Sequence, residues 1–457
     1  MSTNNRWPPY PTYRDSGVGW LGKIPAHWET RRLKYAAAIN TDTLPESTNP
    51  DFDLQYVDIG NVDSVGNILD IQEMSFERAP SRARRRVRHG DTIISTVRTY
   101  LKAIAHIDQP PDKVIVSTGF AVLRPRPGLD PKYLWRLVQS QGFVDAVVAH
   151  SEGIGYPAIA PTKLADLPVW IPTLAEQRAI AAFLDRETAR LDALVAKQER
   201  LIELLQEKRA ALISHAVTKG LDPTAPMKDS GIPSVGQIPA HWEVRRNKRI
   251  LEESDRRSTT GEEELLSVSH ITGVTPRSEK EVYMFMAESM EGYKLCSPDD
   301  LVINTMWAWM GALGVSEYEG IVSPSYHVYR LRKDQTPHYA PKYLDFLYRT
   351  PAYVCEITRH SKGIWSSRLR LYPDAFFDIF TVTPPVSEQR AILHHIDTQI
   401  GKMGTLIGKV GEFIERQQEY RIALISAAVT GKIDVRAGQV QRTSEVRCTC
   451  PTTLRHR

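Results

Sequence analysis

The chain has 457 residues, of which 42% are hydrophobic and 25% charged, with a formal net charge of +4. That length holds two or three domains with their own cores, and the composition is that of an ordinary globular protein. The mild positive charge permits nucleic-acid binding without demanding it.

The N-terminus is polar and proline-rich, with no apolar stretch of the kind a signal peptide carries. Trp7-Pro8-Pro9-Tyr10 superficially matches the loop of amino-methyltransferases, but its first residue is wrong and no glycine motif precedes it, so no role is assigned to it. The first strong feature is Ile24-Pro25-Ala26-His27-Trp28-Glu29, which returns letter for letter as Ile238-Pro239-Ala240-His241-Trp242-Glu243. Asp-Ser-Gly precedes each copy, and two arginines follow each (Arg31-Arg32 and Arg245-Arg246). Trp28 and Trp242 are expected to pack inside their modules, with the arginines at the surface. After each motif comes a region of short β-branched runs bounded by Gly, Pro and Asp, which predicts strands at 92–97, 114–116, 301–304 and 327–331. Pro-Lys-Tyr-Leu occurs at 131–134 and at 341–344, and the residues after it, 135–148 and 345–358, have helical spacing. Residues 36–88 and 250–295, in contrast, show no convincing match.

Each half closes on a long helix. The first begins around Glu176-Gln177-Arg178 and the second around Glu388-Gln389-Arg390. Leu184, Leu191, Gln198, Leu205 and Leu212 recur every seven residues, with Leu194 and Leu201 between; Ile396, Met403, Val410, Gln417 and Leu424 answer them, with Leu406, Phe413 and Tyr420 between. A seven-residue apolar repeat predicts a coiled-coil seam, and roughly 40 residues give a rod of about 60 Å. The second helix carries Gly401, Gly404, Gly408 and Gly411, which either admit close backbone approach or bend the helix. The fold expected is α+β: two similar α/β domains separated by two long helices that pair as an antiparallel coiled coil, with an internal pseudo-two-fold repeat. The expected boundaries are an N-terminal segment 1–22, a first domain 23–172, a helix 173–220, a second domain 221–384, a helix 385–432 and a basic tail 433–457.

Catalytic signatures are missing. There is no phosphate-binding GxxxxGK[ST], no GxGxxG after a strand, no metal-ligand cluster and no nuclease core. His394 and His395 are adjacent on a helix and do not share a face. Cys296, Cys355, Cys448 and Cys450 form no CxxC pair, which fits a reducing cytosol and argues against a disulfide framework or a zinc finger. No cofactor and no catalytic residue is expected. The longest uncharged run, 301–316, is too short to span a membrane. What remains is basic and aromatic. Arg78, Arg82, Arg84, Arg85, Arg86 and Arg88 crowd one stretch, and Arg98, Tyr100 and Lys102 follow the Gly90-Asp91 strand. Trp307, Trp309, Arg330, Arg332, Arg368 and Arg370 occupy comparable places in the second half, where the tryptophans are either core or contact residues. Such side chains would supply phosphate contacts and a few base contacts to DNA. The candidate DNA-binding set is Arg82, Arg84, Arg85, Arg86, Arg88, Arg98, Tyr100, Lys102, Trp307, Trp309, Arg368 and Arg370.

The doubled IPxHWE-x-RR opening, the Gly90-Asp91-Thr92-Ile93-Ile94 strand with its variant at Asp299–Asp300, the EQR helix starts and the ALI-x-x-AVT helix ends together resemble the specificity subunits of type I restriction–modification enzymes. The resemblance covers residues 13–434; the glycine-rich second helix departs from it, and the tail finds no counterpart. It implies a non-catalytic cytoplasmic subunit. Each globe would be a target recognition domain reading one half of a split sequence in double-stranded DNA. The helices would set the spacing and dock two methyltransferase (modification) subunits, and motor-nuclease (restriction) subunits would complete the assembly. The alternatives are a two-module DNA-binding regulator without enzymatic partners and a single-chain restriction–methylation enzyme, against which the missing motifs speak.

Overall fold

A computed structural model describes residues 7–111, 113–279, 289–363 and 369–436. Arg368 and the tail bearing Cys448 and Cys450 lie outside them. The chain divides into two compact units, Met1–Gln198 with Glu412–Arg457, and Glu199–Gly411. The first long helix, Leu174–Lys219, gives its opening turns to unit 1 and its closing turns to unit 2; the second, Val386–Val429, does the reverse.

Unit 1 opens with the ribbon Tyr13–Asp15 against Lys23–Pro25, followed by Glu29–Arg32 against Pro168–Ile171. The repeated motif is the corner between these ribbons. Trp28 donates its backbone N–H to the Pro25 carbonyl at 3.0 Å, and the turn drops the indole into the core at 1% exposure. Unit 2 repeats the construction with Met227–Asp229 against Gln237–Pro239 and Glu243–Arg246 against Phe380–Thr383, and Trp242 is fully buried. An indole removes about 150–250 Å² from water, so each motif carries a large share of its local core.

Above each ribbon stands a four-stranded antiparallel sheet of the same order. In unit 1 it runs Ala37–Ile39, Phe120–Pro125, Thr92–Ser95, Ile104–His106. In unit 2 it runs Leu251–Glu253, His327–Leu331, Leu301–Ile303, Leu313–Val315. Buried Asp91 receives both arms of Arg124, at 2.8 and 2.7 Å, and Asp300 receives Arg330 in the same way. The divergent sequence between matched segments folds differently. Unit 1 adds a second four-stranded sheet, in the order Gln72–Ser75, Asp53–Val57, Val114–Ser117, Ala83–Arg86; the described residues of unit 2 hold the two-stranded pairs Leu266–Ser269 with Gly273–Pro276 and Lys294–Cys296 with Gly320–Val322. The helical stretch after each Pro-Lys-Tyr-Leu is two helices: Pro131–Val138 and Gln141–Ala149, and Pro341–Tyr348 and Pro351–His360. A proline in the first turn starts three of the four.

The EQR helix starts are tied to the opening motif inside each unit. Glu176 holds His27 at 2.9 Å and forms a capping box with Thr173; Glu388 holds His241 at 2.7 Å and accepts the Trp242 indole N–H at 3.1 Å. Gln177 and Gln389 are fully buried, each donating to two backbone carbonyls and accepting one backbone N–H, from Asp130 and Ala340 respectively. The tyrosine of each Pro-Lys-Tyr-Leu then grips the end of the other long helix: Tyr133 bonds the Val429 carbonyl at 3.4 Å, and Tyr343 the Val217 carbonyl at 2.8 Å. Both helices stop at a glycine in the left-handed region, Gly220 and Gly431. A Cβ on Gly431 would lie 2.4 Å from Pro25, so residue size as well as backbone conformation demands glycine there.

In unit 1 the start of the first long helix packs antiparallel on the end of the second, with Leu184 and Leu191 beside Leu424, Ile425 and Ala428, and with Arg421 bonded to Asp192 at 3.1 Å. Unit 2 brings Leu212 and Ile213 against Ile392, Ile396 and Ile400. The seven-residue line is buried or half-buried at Leu184, Leu191, Gln198, Leu205, Leu212, Ile396, Met403, Val410, Gln417 and Leu424, and Leu194 is half-buried. Four of the positions between are corrected. Leu201, Leu406, Phe413 and Tyr420 are exposed, whereas Ile202, Ile407, Ile414 and Arg421 are half-buried. The inner line therefore steps four residues and then three from the seven-residue positions, not three and then four. The glycines of the second helix do not mediate close approach, because a Cβ at Gly401, Gly404, Gly408 or Gly411 would meet nothing within 4 Å. No helix among the described residues is long and apolar enough to cross a membrane.

Candidate nucleic-acid interface

The turn after the Gly90-Asp91 strand joins two strands of the repeated sheet in unit 1 and exposes Arg98, Tyr100 and Leu101. Thr96 fixes its start by donating from N–H and hydroxyl to the Gly119 carbonyl, each at 2.8 Å. Arg98 and Lys102 both adopt left-handed backbone, at φ 51° and 54°. That conformation costs a non-glycine residue roughly 1 kcal/mol or more and persists only where the surroundings impose it. They do: Arg98 N–H donates to the Pro157 carbonyl at 2.8 Å, the Thr99 and Ser151 hydroxyls meet at 3.0 Å, and Lys102 Nζ donates to Gln141 at 2.9 Å. A second loop, 151–158, closes beside it through paired bonds between Glu152 and Ala158. The Arg98 guanidinium lies 4.4 Å above the Tyr156 ring. Tyr100, Leu101, Ile154 and Tyr156 are all exposed around it.

Unit 2 builds the same pair of loops from different side chains. Asn304 N–H bonds the Ala312 carbonyl at 3.0 Å to close the turn, and Gly311 takes the left-handed place that Lys102 fills in unit 1. Trp307, 50% exposed, stands where Arg98 stands and stacks on Trp309, with centroids 6.0 Å apart and planes 20° from parallel. Met306 and Met310 are exposed beside them. The neighbouring loop closes through paired bonds between Lys362 and Arg370, at 2.9 Å each, and Leu371 N–H reaches the Thr305 carbonyl just as Ile159 N–H reaches Thr96. One turn presents a cation on an aromatic ring, and the other an aromatic stack.

The arginine run does not form one patch. Arg84, Arg85 and Arg86 lie on the strand Ala83–Arg86 of the second sheet. Arg82, at the end nearest the 118–119 turn, pairs with Asp58 at 2.6 Å. Arg84 stacks on Phe76 at 4.5 Å. Arg85 is half-buried; burial lowers its pKa, and its Nε has no partner among the described residues. Arg86 and Arg88 lie at the far end around a groove of about 660 Å³, where Arg88 holds Asp42 at 2.6 Å. Arg330 is committed to Asp300. Of the candidate set, the structure gathers Arg98, Tyr100 and Lys102 on one turn, and Trp307 and Trp309 on its counterpart, with Arg370 on the adjacent loop. Sequence reasoning overlooked Ile154 and Tyr156. Their signal was available: Ser151-Glu152-Gly153-Ile154 answers Ser361-Lys362-Gly363-Ile364, at the same spacing as the two Pro-Lys-Tyr-Leu segments.

Residues 25–204 match the family described as the type I restriction modification DNA specificity domain. The chain is 25% identical over 237 residues to a protein described as a type I restriction enzyme MjaX specificity subunit, from Methanocaldococcus jannaschii, covering 49% of this chain and 52% of that one. It is 30% identical over 96 residues to the type I restriction enzyme StySPI specificity subunit of Salmonella potsdam, covering 21% of each. The match thus spans about half the length of the first relative and about a fifth of the second. Among solved structures, a chain from a study of assembly and conformational transition in the type I R-M system has a TM-score of 0.65 at 22% identity, covering 90% of this chain and 99% of that one. The HsdS subunit of Thermoanaerobacter tengcongensis has a TM-score of 0.50 at 22% identity, covering 90% and 98%. These likenesses agree on the fold built up above from the doubled motif, and residues 25–204 carry the match to the type I restriction modification DNA specificity domain.

Proposed function

We propose that this chain is the DNA sequence-recognition subunit of a type I restriction–modification complex and that it reads a bipartite, asymmetric site in double-stranded DNA. Unit 1 reads one half through the turn bearing Arg98, Tyr100 and Lys102 and its neighbour bearing Tyr156. Unit 2 reads the other through Trp307, Trp309 and the loop bearing Arg370. Arg82, Arg84, Arg85, Arg86, Arg88 and Arg368 complete the proposed DNA-binding set. The chain itself is non-catalytic and cytoplasmic. Methyl transfer belongs to two modification subunits that it docks, and cleavage belongs to motor-nuclease subunits.

One observation carries the reading. The two units share matched internal bonds, such as Arg124 on Asp91 and Arg330 on Asp300, yet the corresponding turns of the shared sheet present a cation on an aromatic ring in one and stacked indoles in the other. Arginine presents paired donors suited to a guanine edge, whereas stacked apolar rings suit base faces and thymine methyl groups. Two unlike readers on one scaffold are what an asymmetric split site requires. The test expresses the chain with its modification subunits and maps methylated adenines across a genome. Replacing Arg98 and Tyr100 by alanine should alter or abolish recognition in one half of the methylated sequence, and replacing Trp307 and Trp309 should affect the other half. An unchanged motif, or both halves changing together, rejects the assignment.

A further inference from the structure

Ile154 is fully exposed, at 107%, the highest value of any large apolar side chain among the described residues. It stands between Gly153 and Gly155 at the tip of the loop 151–158, so no neighbouring side chain shields it along the chain. A Cβ at Gly155 would meet nothing within 4 Å. Gly153 has φ of 113°, and a Cβ there would lie 3.2 Å from the Tyr156 carbonyl oxygen, so the tip is a tight turn that requires glycine. The tip projects from a fixed base. The Glu152 and Ala158 backbones exchange two bonds at 2.9 Å each. The other side of the same leg is joined to the turn bearing Arg98: the Pro157 carbonyl accepts the Arg98 N–H at 2.8 Å, and Ile159 N–H donates to the Thr96 carbonyl at 2.8 Å. The fold thus holds this isoleucine out in water on ordered backbone, where it adds nothing to a core.

Its surroundings narrow what could cover it. Tyr100, Leu101 and Tyr156 are exposed on the same two loops. The Arg98 side chain has no carboxylate partner among the described residues, and Glu152, the one carboxylate of the loop 151–158, is taken up by Lys163. Single surface hydrophobics need no explanation, but four on two linked loops mark a contact. The matching occupant is apolar inside and anionic at its edges, which describes stacked bases between phosphates. The sequence also repeats the tip. Gly153-Ile154 is answered by Gly363-Ile364, although Ile364 lies outside the described residues. Paired closing bonds recur there between Lys362 and Arg370. The residues on the adjoining turns differ, Arg98 and Tyr100 in one half and Trp307 and Trp309 in the other. Side chains that differ can read sequence; one that recurs does the same job at both half-sites.

We infer that Ile154 is a wedge, which enters the base stack of the unit 1 half-site and parts one base step without reading its sequence. The inference rests on the proposed function and extends it to the shape of the bound DNA. Apolar side chains, isoleucine among them, part base steps and kink the duplex in other DNA-binding proteins. A parted step lowers the cost of turning a nearby adenine out of the helix, which a methyltransferase needs in order to reach the base. Ile154 is therefore a positioning residue, acting through the DNA on an active site that another chain supplies.

The test uses the full chain in complex with its modification subunits, on a duplex carrying its mapped methylation site. 2-Aminopurine, which brightens on unstacking, replaces one base at a time through both half-sites. Wild type should brighten the probe at one step of the unit 1 half other than the methylated adenine. I154A should lose most of that rise while the unit 2 half responds as with wild type, and I154M, which keeps a long apolar side chain, should retain it. The methylated sequence should be the same for wild type and I154A. A nick at the parted step relaxes the stack without changing a base edge, so wild type should bind the nicked duplex about tenfold more tightly than the intact one, and I154A should bind both alike. A rise that survives I154A, or a nick that helps both proteins equally, overturns the wedge. A changed methylated sequence in I154A also overturns it, because the residue would then be reading bases. If wild type selects its site but brightens no probe beyond the methylated adenine, the inference alone fails; if it selects no split site, the proposed function fails with it.

Discussion

The base of each unit and its exposed turn differ in what their side chains do. At the base, the motif residues are spent on the protein itself: His27 on Glu176, His241 on Glu388, Gln177 and Gln389 on backbone, and Trp28 and Trp242 on the core. At the turns, Arg98, Tyr100 and Trp307 stand exposed on backbone held tightly by neighbours. The repeated letters therefore mark what the fold needs, and the unrepeated ones mark where the units face something else.

Breaking the base should have the largest effect. Trp242→Ala removes a fully buried indole together with its bond to Glu388. Substitutions of this type cost about 3–5 kcal/mol. Chemical unfolding followed by hydrogen exchange should show the loss concentrated in unit 2, and Trp28→Ala should do the same in unit 1. A cost below about 1 kcal/mol at both sites would mean that the motif is not structural. Gln389→Leu comes next. It strands the Ala340 N–H and the His338 and Pro384 carbonyls. Leaving buried polar groups unpaired costs about 1–3 kcal/mol, and Gln177→Leu should match it, since its bonds are the same in kind.

A third test uses acid. Burial raises the pKa of Glu176, but hydrogen bonds from His27 and Thr173 and the charges of His27 and Arg436 outweigh it, so the folded value lies below the usual carboxylate range. A carboxylate depressed on folding adds stability above its unfolded pKa, near 4.3, and that contribution fades as pH falls through the folded value. Glu176→Gln should therefore be less stable than wild type at pH 6, with the gap narrowing below about pH 4. Melting temperatures across that range decide it; a gap that widens with acid would contradict the pairing.

Much of this frame was readable from the sequence because each repeated letter has a fixed job. The motif tryptophans, the Gly90-Asp91 strand and the helix starts were all found that way. The seam register was not. Leu201, Leu406 and Phe413 share the seven-residue spacing but stand exposed, and periodicity alone does not say whether the inner line steps three or four residues between the repeats. The arginine run misled for a different reason. Only Arg84, Arg85 and Arg86 share a strand, and side chains alternate across it, so Arg85 turns inward while Arg84 covers Phe76. The pairing of the Arg98 turn with Tyr156 needs residues 58 positions apart to meet, and only the fold supplies that.

The smallest effect concerns the second long helix, which carries four glycines where the first carries none. Gly404 lies in helical backbone, exposed, with no atom within 4 Å of where a Cβ would stand. Nothing in the fold uses its freedom, so the residue weakens the helix by its backbone entropy alone. Gly404→Ala should stabilise the chain by about 0.5–1 kcal/mol, a rise of a few degrees in the melting temperature of unit 2. Gly431→Ala should do the reverse, since there the backbone is left-handed and Pro25 fills the space. If Gly404→Ala destabilises the chain instead, that face of the helix is packed against something when the protein works. Repeating the melt with the modification subunit bound would then separate an intrinsic helix effect from a contact made only in the complex.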